Sequence, residues 1–452
     1  MFDWNLLIND HRIANTEGAL RPSENLPDRT PFQADYDRVI YSEPFRRLAR
    51  KAQVHPLVPN DHVRNRLTHS LEVASVGRSF ATRLWKFLGE KDLKPANTTE
   101  DDFRQIIQSA CLAHDIGNPP FGHAGEYAIR NWANENPESV FGDDKKLGVS
   151  ERTRTDWEVF EGNAQGFRLA SRPDNSRAGY MNLTLTTMAT MVKYPWGSYD
   201  EKAKSKGKHN FFSSEATIFD RVFDTLGLKN GESYHRHPMS FLSEAADDIG
   251  YRIADLEDSV GMKIISEDRV TDLFKSICEC DDKWQPLGKL RANAIGCFVD
   301  MFWQVFEQDF EAIVTGKREN DLKKDVCEKA KSAINEIDNC YAEIFSHRFK
   351  VATELGAYNC LGKITSTMCD AARKLSQFEI DPGLSPEDSD KFYEKEFDFL
   401  AKRCFELTFG GQYAKRNHTA GYDWWLHQIL DFVSGLTDNY AQQLAREIDG
   451  IG

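Results

Sequence analysis

Residues 66–88 read RLTHSLEVASVGRSFATRLWKFL, with apolar side chains at three- and four-residue intervals and no proline among them. That period lays them along one face of an α-helix. The pattern returns at 103–116, 156–170, 181–193 and 239–260, the last entered through Pro238 at a first-turn position that tolerates proline. It continues through 288–314, 320–347, 362–376, 389–408 and 422–447. Alternating strand-like runs closed by Asn-Gly or Asp-Gly turns are scarce, so the sequence predicts an all-α fold with at most a short hairpin. Polar stretches punctuated by Gly and Pro at 134–152, 195–214 and 379–388 predict loops. No internal repeat is found.

A chain of 452 residues, 40% hydrophobic and 12% aromatic, can bury a substantial core, and its charged fraction of 28% excludes a disordered or collagen-like polymer. With 57 basic against 71 acidic residues the formal charge is −14, which argues against nucleic-acid binding by a global basic face. A local basic pocket stays open. The amino terminus, MFDWNLLINDHRI, has no charged leader and apolar run, and no stretch has the length of uninterrupted apolar sequence that spans a bilayer. Nine scattered cysteines include no Cys-x-x-Cys pair, only Cys278-x-Cys280. They read as reduced thiols, and the expected location is cytoplasmic, without membrane attachment.

Chemistry concentrates in 111–126, CLAHDIGNPPFGHAGE, where an apolar helix runs into adjacent His114 and Asp115 before Pro119-Pro120 turns the chain. Imidazole and carboxylate both suit a divalent ion, and helix neighbours splay by about 100° onto adjacent coordination positions. A helix-end histidine held by a carboxylate would look the same. Two further features shift the reading. NRLTHS (65–70) sets His69 early in a long helix, and EAADDIGYRIADLED (244–258) sets Asp247, Tyr251 and Asp255 at four-residue spacing on one helical face. One His, a His-Asp pair and a distant Asp on three helices have the form of an HD-type phosphohydrolase site.

The chain resembles the dGTPase family of deoxynucleoside triphosphate triphosphohydrolases, within the HD superfamily. The resemblance rests on YSEPFRRLARKAQV (41–54), NRLTHSLEV (65–73), AHDIGNPPFGHAGE (113–126), FEGNAQGFRL (160–169), MNLTLTTMATMVKYP (181–195), RHPMSFLSEAADDIGYRIADLEDS (236–259) and DFVSGLTDNYA (431–441), in that order. It implies hydrolysis of a dNTP, dGTP favoured, to deoxynucleoside and inorganic triphosphate by attack of metal-activated water at the α-phosphorus. His69, His114, Asp115 and Asp247 would hold a divalent ion: Mn²⁺, Mg²⁺ or another first-row metal. Asp248 points about 100° away on the helix and would face the surface or support the ligands from behind.

Breaking the bond to the 5′-oxygen releases a poor alkoxide leaving group, so a general acid is wanted. His123 and Glu126 match the family's catalytic pair, with Glu126 orienting His123 and favouring its protonated form. His123 either protonates the leaving oxygen or activates water; the acid role is preferred because the metal serves the water. Arg66, three residues before His69, is the preferred phosphate clamp, and few of Arg46, Arg47, Arg50 and Lys51 would touch substrate. Lys193, Tyr194 and Lys208 match phosphate contacts, with Lys208 giving the lysine-rich loop a role beyond a solvated surface. Tyr251 would exclude a 2′-hydroxyl by packing on the sugar, while Gln53 and Asp255 would bond the 3′-hydroxyl.

The expected organisation is a single unit over 1–452. Residues 41–260 would form the HD metal and catalytic core, and 261–452 a C-terminal helical region completing the pocket and making oligomer contacts. The resemblance also implies a homo-oligomer, hexamer or tetramer, and an effector of dNTP or single-stranded DNA. Alternatives are a broad-specificity dNTPase under such regulation, a nucleotide sensor or nucleic-acid-binding assembly in which hydrolysis is secondary, and an HD phosphohydrolase of another type. A two-metal member of that last group would need extra histidines, and His209, His235 and His237 are the unassigned ones. His235 and His237 are expected to shape the entry to the 239–260 helix.

Overall fold

The computed structural model describes residues 1–24, 27–53, 62–173, 180–278, 285–346, 348–381 and 383–451. Val54, Cys280, His347 and Pro382, each within a stretch read above, lie outside the described residues. The fold is all-α. Among the described residues the strands form two short antiparallel ribbons, Arg12–Ile13 with Leu20–Arg21 and Lys229–Asn230 with Ser233–Tyr234. No described helix is long and apolar enough to cross a membrane.

The helices that position the site are α1 (Arg66–Glu90), α2 (Glu100–Ala113), α3 (His123–Glu135), α4 (Gly162–Ser171), α5 (Leu185–Met191), α6 (Pro238–Gly261), α7 (Glu328–Ser346), α8 (Arg348–Ser376) and α9 (Tyr422–Gly435). Side-chain caps start several of them. Asn65 and Thr68 exchange side-chain and backbone hydrogen bonds at the head of α1, and Thr99 and Asp102 do the same for α2. His237 caps α6, its ring nitrogen accepting from Met239 N just before Pro238 at the first position. Helices α1, α2 and α6 pack against one another, and α5 packs on α2 and α6. At Gly250 a Cβ would come 2.8 Å from Val73 Cγ2 and 3.5 Å from His69 Cε1, so the glycine lets α6 lie close beside His69.

Two buried apolar clusters form. One runs from Trp4 through the faces of α1, α2 and α6 to Ile344; the other joins α3 and Trp157 to α8, α9 and Ala445. The 114–123 turn crosses between them, with Ile116 in the first and Phe121 in the second. It is fastened on the far side as well. Lys51 Nζ donates to Asn118 O and Ser434 O, both at 2.7 Å, and Asp438 accepts from Phe121 N at 2.8 Å and Ala52 N at 2.9 Å.

Several expected helices are broken. The 156–170 stretch is Glu151–Glu158 followed by α4, because Glu161 leaves the helix to cap α4 through Asn163 N. The 422–447 stretch divides at Thr437, which caps Asp438–Ile448, and 389–408 divides at Asp398, which caps Phe399–Leu407. The 288–314 stretch divides at Asp309, and 320–347 is a short 3₁₀ turn, Leu322–Asp325, before α7. In the other direction, α8 begins well before residue 362. The expected loops carry short helices: Pro137–Val140, Asp144–Leu147 and Glu201–Lys206. At Glu161, Thr437 and Asp398 the apolar period runs through the break while the backbone does not, since a side-chain cap outweighs continuity of pattern; the break at Asp309 has no such cap.

Candidate active site

His69 sits in the first turn of α1, His114 caps the end of α2 with Asp115 beside it, and Asp247 lies midway along α6. The packing of those three helices brings all four together. Asp247 Oδ1 lies 3.2 Å from His69 Nε2 and 3.3 Å from His114 Nε2, and His114 Nε2 is 3.5 Å from Asp115 Oδ1. Ligand atoms of His69, His114 and Asp115 lie within 4.8 Å of one another, a group able to hold a metal ion. The donor chemistry fits. His114 Nδ1 is 2.6 Å from Cys111 O, which fixes the proton there and leaves Nε2, buried and without a hydrogen-bond partner, aimed at the cluster. Burial opposes a charge on His114, yet Asp115 and Asp247 raise its pKa, the mark of a field that attracts a cation.

Each carboxylate is also tied to a base. Arg66 NH1 donates to Asp115 Oδ2 at 2.6 Å, Asn118 Nδ2 donates to Asp115 Oδ1 at 2.5 Å, and Lys193 Nζ donates to Asp247 Oδ2 at 2.6 Å. Burial works against ionising Asp115, but Arg66 and His114 hold its pKa at about 2. For Asp247 burial is likewise outweighed, by Lys193 and His114, and its pKa lies well below the usual carboxylate range.

These groups border a cavity of about 500 Å³, which every residue expected to act in the site lines except His69, fully buried behind it. His123 begins α3 with its ring open to the cavity. Gly122 before it has φ +59°, a backbone conformation that favours glycine, and a Cβ there would come 2.5 Å from Arg66 NH2 and displace that guanidinium. Glu126 Oε1 accepts from Gly162 N at 2.8 Å, and Oε2 is buried, without a hydrogen-bond partner and 3.9 Å from Lys208 Nζ. No direct His123–Glu126 hydrogen bond occurs among the described residues. The expectation that Glu126 favours protonated His123 holds in direction only. Burial dominates and lowers the His123 pKa, Glu126 opposing it and Lys208 and Arg66 reinforcing it.

Lys208 Nζ donates to Glu161 Oε1 at 2.7 Å, and the preceding lysines Lys202, Lys204 and Lys206 lie on the exposed Glu201–Lys206 helix. Tyr194 N donates to Asn210 Oδ1 at 2.7 Å, which fixes the 193–194 turn. Tyr251 OH donates to Asp248 Oδ1 at 3.1 Å, and Tyr341 OH to Asp255 Oδ2 at 3.1 Å. Gln53 lines the cavity with a buried, unpartnered Oε1. Asp248 does not face the surface: it is buried, lines the cavity, and accepts from Arg252 at 2.7 Å and Lys323 at 3.5 Å. Arg46 and Arg50 are exposed, Lys51 is a buried brace, and none of these or Arg47 lines the cavity. His209, His235 and His237 stand outside the metal-competent group.

Residues 66–159 match the HD domain family. The chain is 36% identical over 466 residues to the deoxyguanosinetriphosphate triphosphohydrolase-like protein of Pseudomonas aeruginosa PAO1, covering 99% of both chains. It is 32% identical to the protein of the same description from Synechocystis sp. PCC 6803, again over 99% of each. The chain belongs to the dGTPase family of the HD superfamily. A further relative, the deoxyguanosinetriphosphate triphosphohydrolase of Serratia proteamaculans, is 30% identical over 92% of this chain and 93% of its own.

For this dGTPase-family chain the sequence reading omitted part of the cavity wall. Asn118, Glu161 and Asn163 line it and fall inside the blocks that carried the family resemblance, Asn118 in the proline-rich turn and Glu161 and Asn163 at the start of α4. Asp338, Tyr341, Phe345 and Lys350, from α7 and the start of α8, had no such signal.

Proposed function

We propose that the protein is a metal-dependent dNTP triphosphohydrolase, dGTP favoured, releasing deoxynucleoside and inorganic triphosphate by water attack at the α-phosphorus. The observation that carries this reading is the meeting of His69, His114, Asp115 and Asp247 on a cavity whose wall supplies Arg66, Lys193 and Lys208. The names of the Pseudomonas, Synechocystis and Serratia relatives support the same activity. When bound, a divalent ion supplies Lewis acidity, making water a better nucleophile and drawing charge from a phosphate oxygen.

The chain's own residues do the rest. Arg66 and Lys193 clamp the triphosphate from beside the ligand carboxylates, with Tyr194 and Lys208 bordering it. Arg66 Nε is buried without a hydrogen-bond partner, so this guanidinium retains an unused donor. His123 donates its proton to the 5′-oxygen as that bond breaks. Burial lowers its pKa in the free protein, and a bound tetra-anion raises it again, so the proton is taken up as substrate arrives. Glu126, anchored by Gly162 N, keeps negative charge near the ring. Tyr251 bars a 2′-hydroxyl, and Gln53 and Asp255 receive the 3′-hydroxyl. Residues 261–452 complete the pocket through α7 and α8.

Product analysis tests this with metal-reconstituted protein, each of the four dNTPs and rGTP. Equimolar triphosphate and deoxynucleoside, with dGTP fastest, is the expected result. Comparable rates for all dNTPs would replace the guanine preference with broad specificity. Orthophosphate or pyrophosphate as primary product would place the cleavage at another bond and remove the role given to His123. Turnover only with added dNTP mixtures or single-stranded DNA would establish an effector requirement.

A further inference from the structure

One part of the cavity wall has no role in the reaction described above. Asp338, Tyr341 and Phe345 stand three and four residues apart on α7, so they share a helical face, and all three line the cavity. The rings of Tyr341 and Phe345 lie nearly parallel, 8° apart with centroids at 5.2 Å. Phe345 remains 47% exposed, a large apolar ring left open at the cavity wall. Lys350 Nζ stands 5.2 Å from the Phe345 ring centroid, on a side chain only 13% exposed whose acidic neighbour Glu354 is 3.7 Å away.

Tyr341 links this face to the sugar end of the site. Its hydroxyl donates to Asp255 Oδ2, and its ring centroid is 6.3 Å from that of Tyr251. A deoxynucleotide whose sugar is held at Tyr251 and Asp255 therefore carries its base towards Tyr341 and Phe345. Every base has a π-face, and stacking on an aromatic side chain contributes about 1–3 kcal/mol without distinguishing one base from another. Lys350 adds the distinction. An ammonium offers three donors and no acceptor, so it matches the O6 and N7 of guanine and opposes the amino groups of adenine and cytosine. Thymine also presents a keto oxygen, but a purine covers more of the aromatic surface.

We propose that the Tyr341–Phe345 pair is the platform on which the nucleobase stacks and that Lys350 reads the base's keto edge in favour of guanine. This rests on the reading of the cavity as a dNTP hydrolase site.

The test compares kcat/KM for dGTP, deoxyinosine triphosphate and dATP in the wild type, Lys350→Met and Phe345→Leu, with thermal melting to confirm that both variants fold. Lys350→Met should lower the dGTP:dATP ratio about tenfold, and deoxyinosine triphosphate, which keeps O6 and N7 but lacks the 2-amino group, should fall with dGTP. Phe345→Leu should raise KM for all three several-fold with kcat little changed and the ratio preserved. An unchanged dGTP:dATP ratio in Lys350→Met overturns the keto-edge reading, and an unchanged KM in Phe345→Leu overturns the platform. Those outcomes are distinct from a failure of the proposed function. A wild type that hydrolyses no dNTP would remove that reading and this inference with it.

Discussion

Asp255 offers a measurement in which stability and function move in opposite directions. Its side chain is 6% exposed, Oδ1 has no hydrogen-bond partner, and Oδ2 accepts from Tyr341 OH. Burial raises the carboxyl pKa from 3.8 to about 7; the Tyr341 hydrogen bond, Arg64 and Arg66 pull it down, and Asp258 pushes it up. An acid whose folded pKa is raised costs no stability below its unfolded value, costs progressively more as pH rises, and reaches its full cost above the folded pKa. Three units correspond to about 4 kcal/mol at most, and water in the cavity screens that to roughly 2 kcal/mol.

Asp255→Asn keeps the shape and can still accept from Tyr341, but it has no charge to bury. In metal-free protein, urea unfolding followed by tryptophan fluorescence should find the variant more stable than wild type at pH 8.5. The gain over wild type should exceed that at pH 5 by about 1–3 kcal/mol. The same variant should hydrolyse dNTPs less efficiently, because an amide is a weaker acceptor for the 3′-hydroxyl than a carboxylate; about 1 kcal/mol corresponds to roughly fivefold in kcat/KM. A stability difference identical at the two pH values, or a variant less stable at pH 8.5, would refute the reasoning, since either would mean the buried charge is not the source of the effect.

The other expectations concern the reaction centre. Asp247→Asn removes a charged group proposed as a ligand and the partner of Lys193, and should abolish both metal retention, read by elemental analysis, and turnover; full activity at normal metal content would move the ion elsewhere. Tyr251→Ala should raise the rate on rGTP relative to dGTP by roughly tenfold, the scale of a steric pocket contact, and unchanged selectivity would dispose of the sugar gate. Because burial lowers the His123 pKa and a bound tetra-anion raises it, the alkaline loss of rate should fall at higher pH in kcat than in kcat/KM. Coincident limbs in the two profiles would count against His123 as the acid; His123→Ala should lower kcat by about 10²–10⁴-fold.

How much of this was legible depended on what kind of force placed each residue. The four residues proposed as ligands were readable because the local order His, His-Asp, Asp needs only three helices to pack together, and apolar spacing announced those helices. The gap at Val159–Glu161 was not readable. Val159 and Phe160 continue the apolar period, and what ends the helix is Glu161 turning to cap α4 and meet Lys208, a contact 47 residues distant. For Asp248 the angle was legible, and of its two expected environments only the surface one fails. It does diverge from Asp247, but Arg252 and Lys323 meet it there, and Lys323 belongs to a segment the local pattern cannot see. Tyr341 and Phe345 looked like any amphipathic stripe, since spacing identifies a face without saying whether core or cavity lies against it. Of the family blocks, FEGNAQGFRL and DFVSGLTDNYA proved to meet: Arg168 Nε donates to Asp431 Oδ1 at 2.8 Å in a buried network that also holds Tyr180 and Glu215.

The charge arrangement gives the proposed ion a second purpose. Each lysine and arginine lining the cavity already lies against a carboxylate: Arg66 on Asp115, Lys193 on Asp247, Lys208 on Glu161, Lys323 on Asp248 and Lys350 beside Glu354. Carboxylates outnumber these cations along the cavity wall, so in a protein of net charge −14 a tetra-anionic triphosphate entering the site finds no uncompensated positive charge. At 4 Å and an effective dielectric of about 20 the gross attraction of a unit charge pair is about 4 kcal/mol before desolvation, so redistribution of these pairs would bear on affinity. If Asp115 and Asp247 hold a divalent ion as proposed, its charge would compete with Arg66 and Lys193 for their carboxylates. Those two cations are then left with phosphate as the better partner. On the proposed function, substrate affinity would then depend on the metal before any bond is broken, coupled through the pairing of Arg66 with Asp115 and of Lys193 with Asp247.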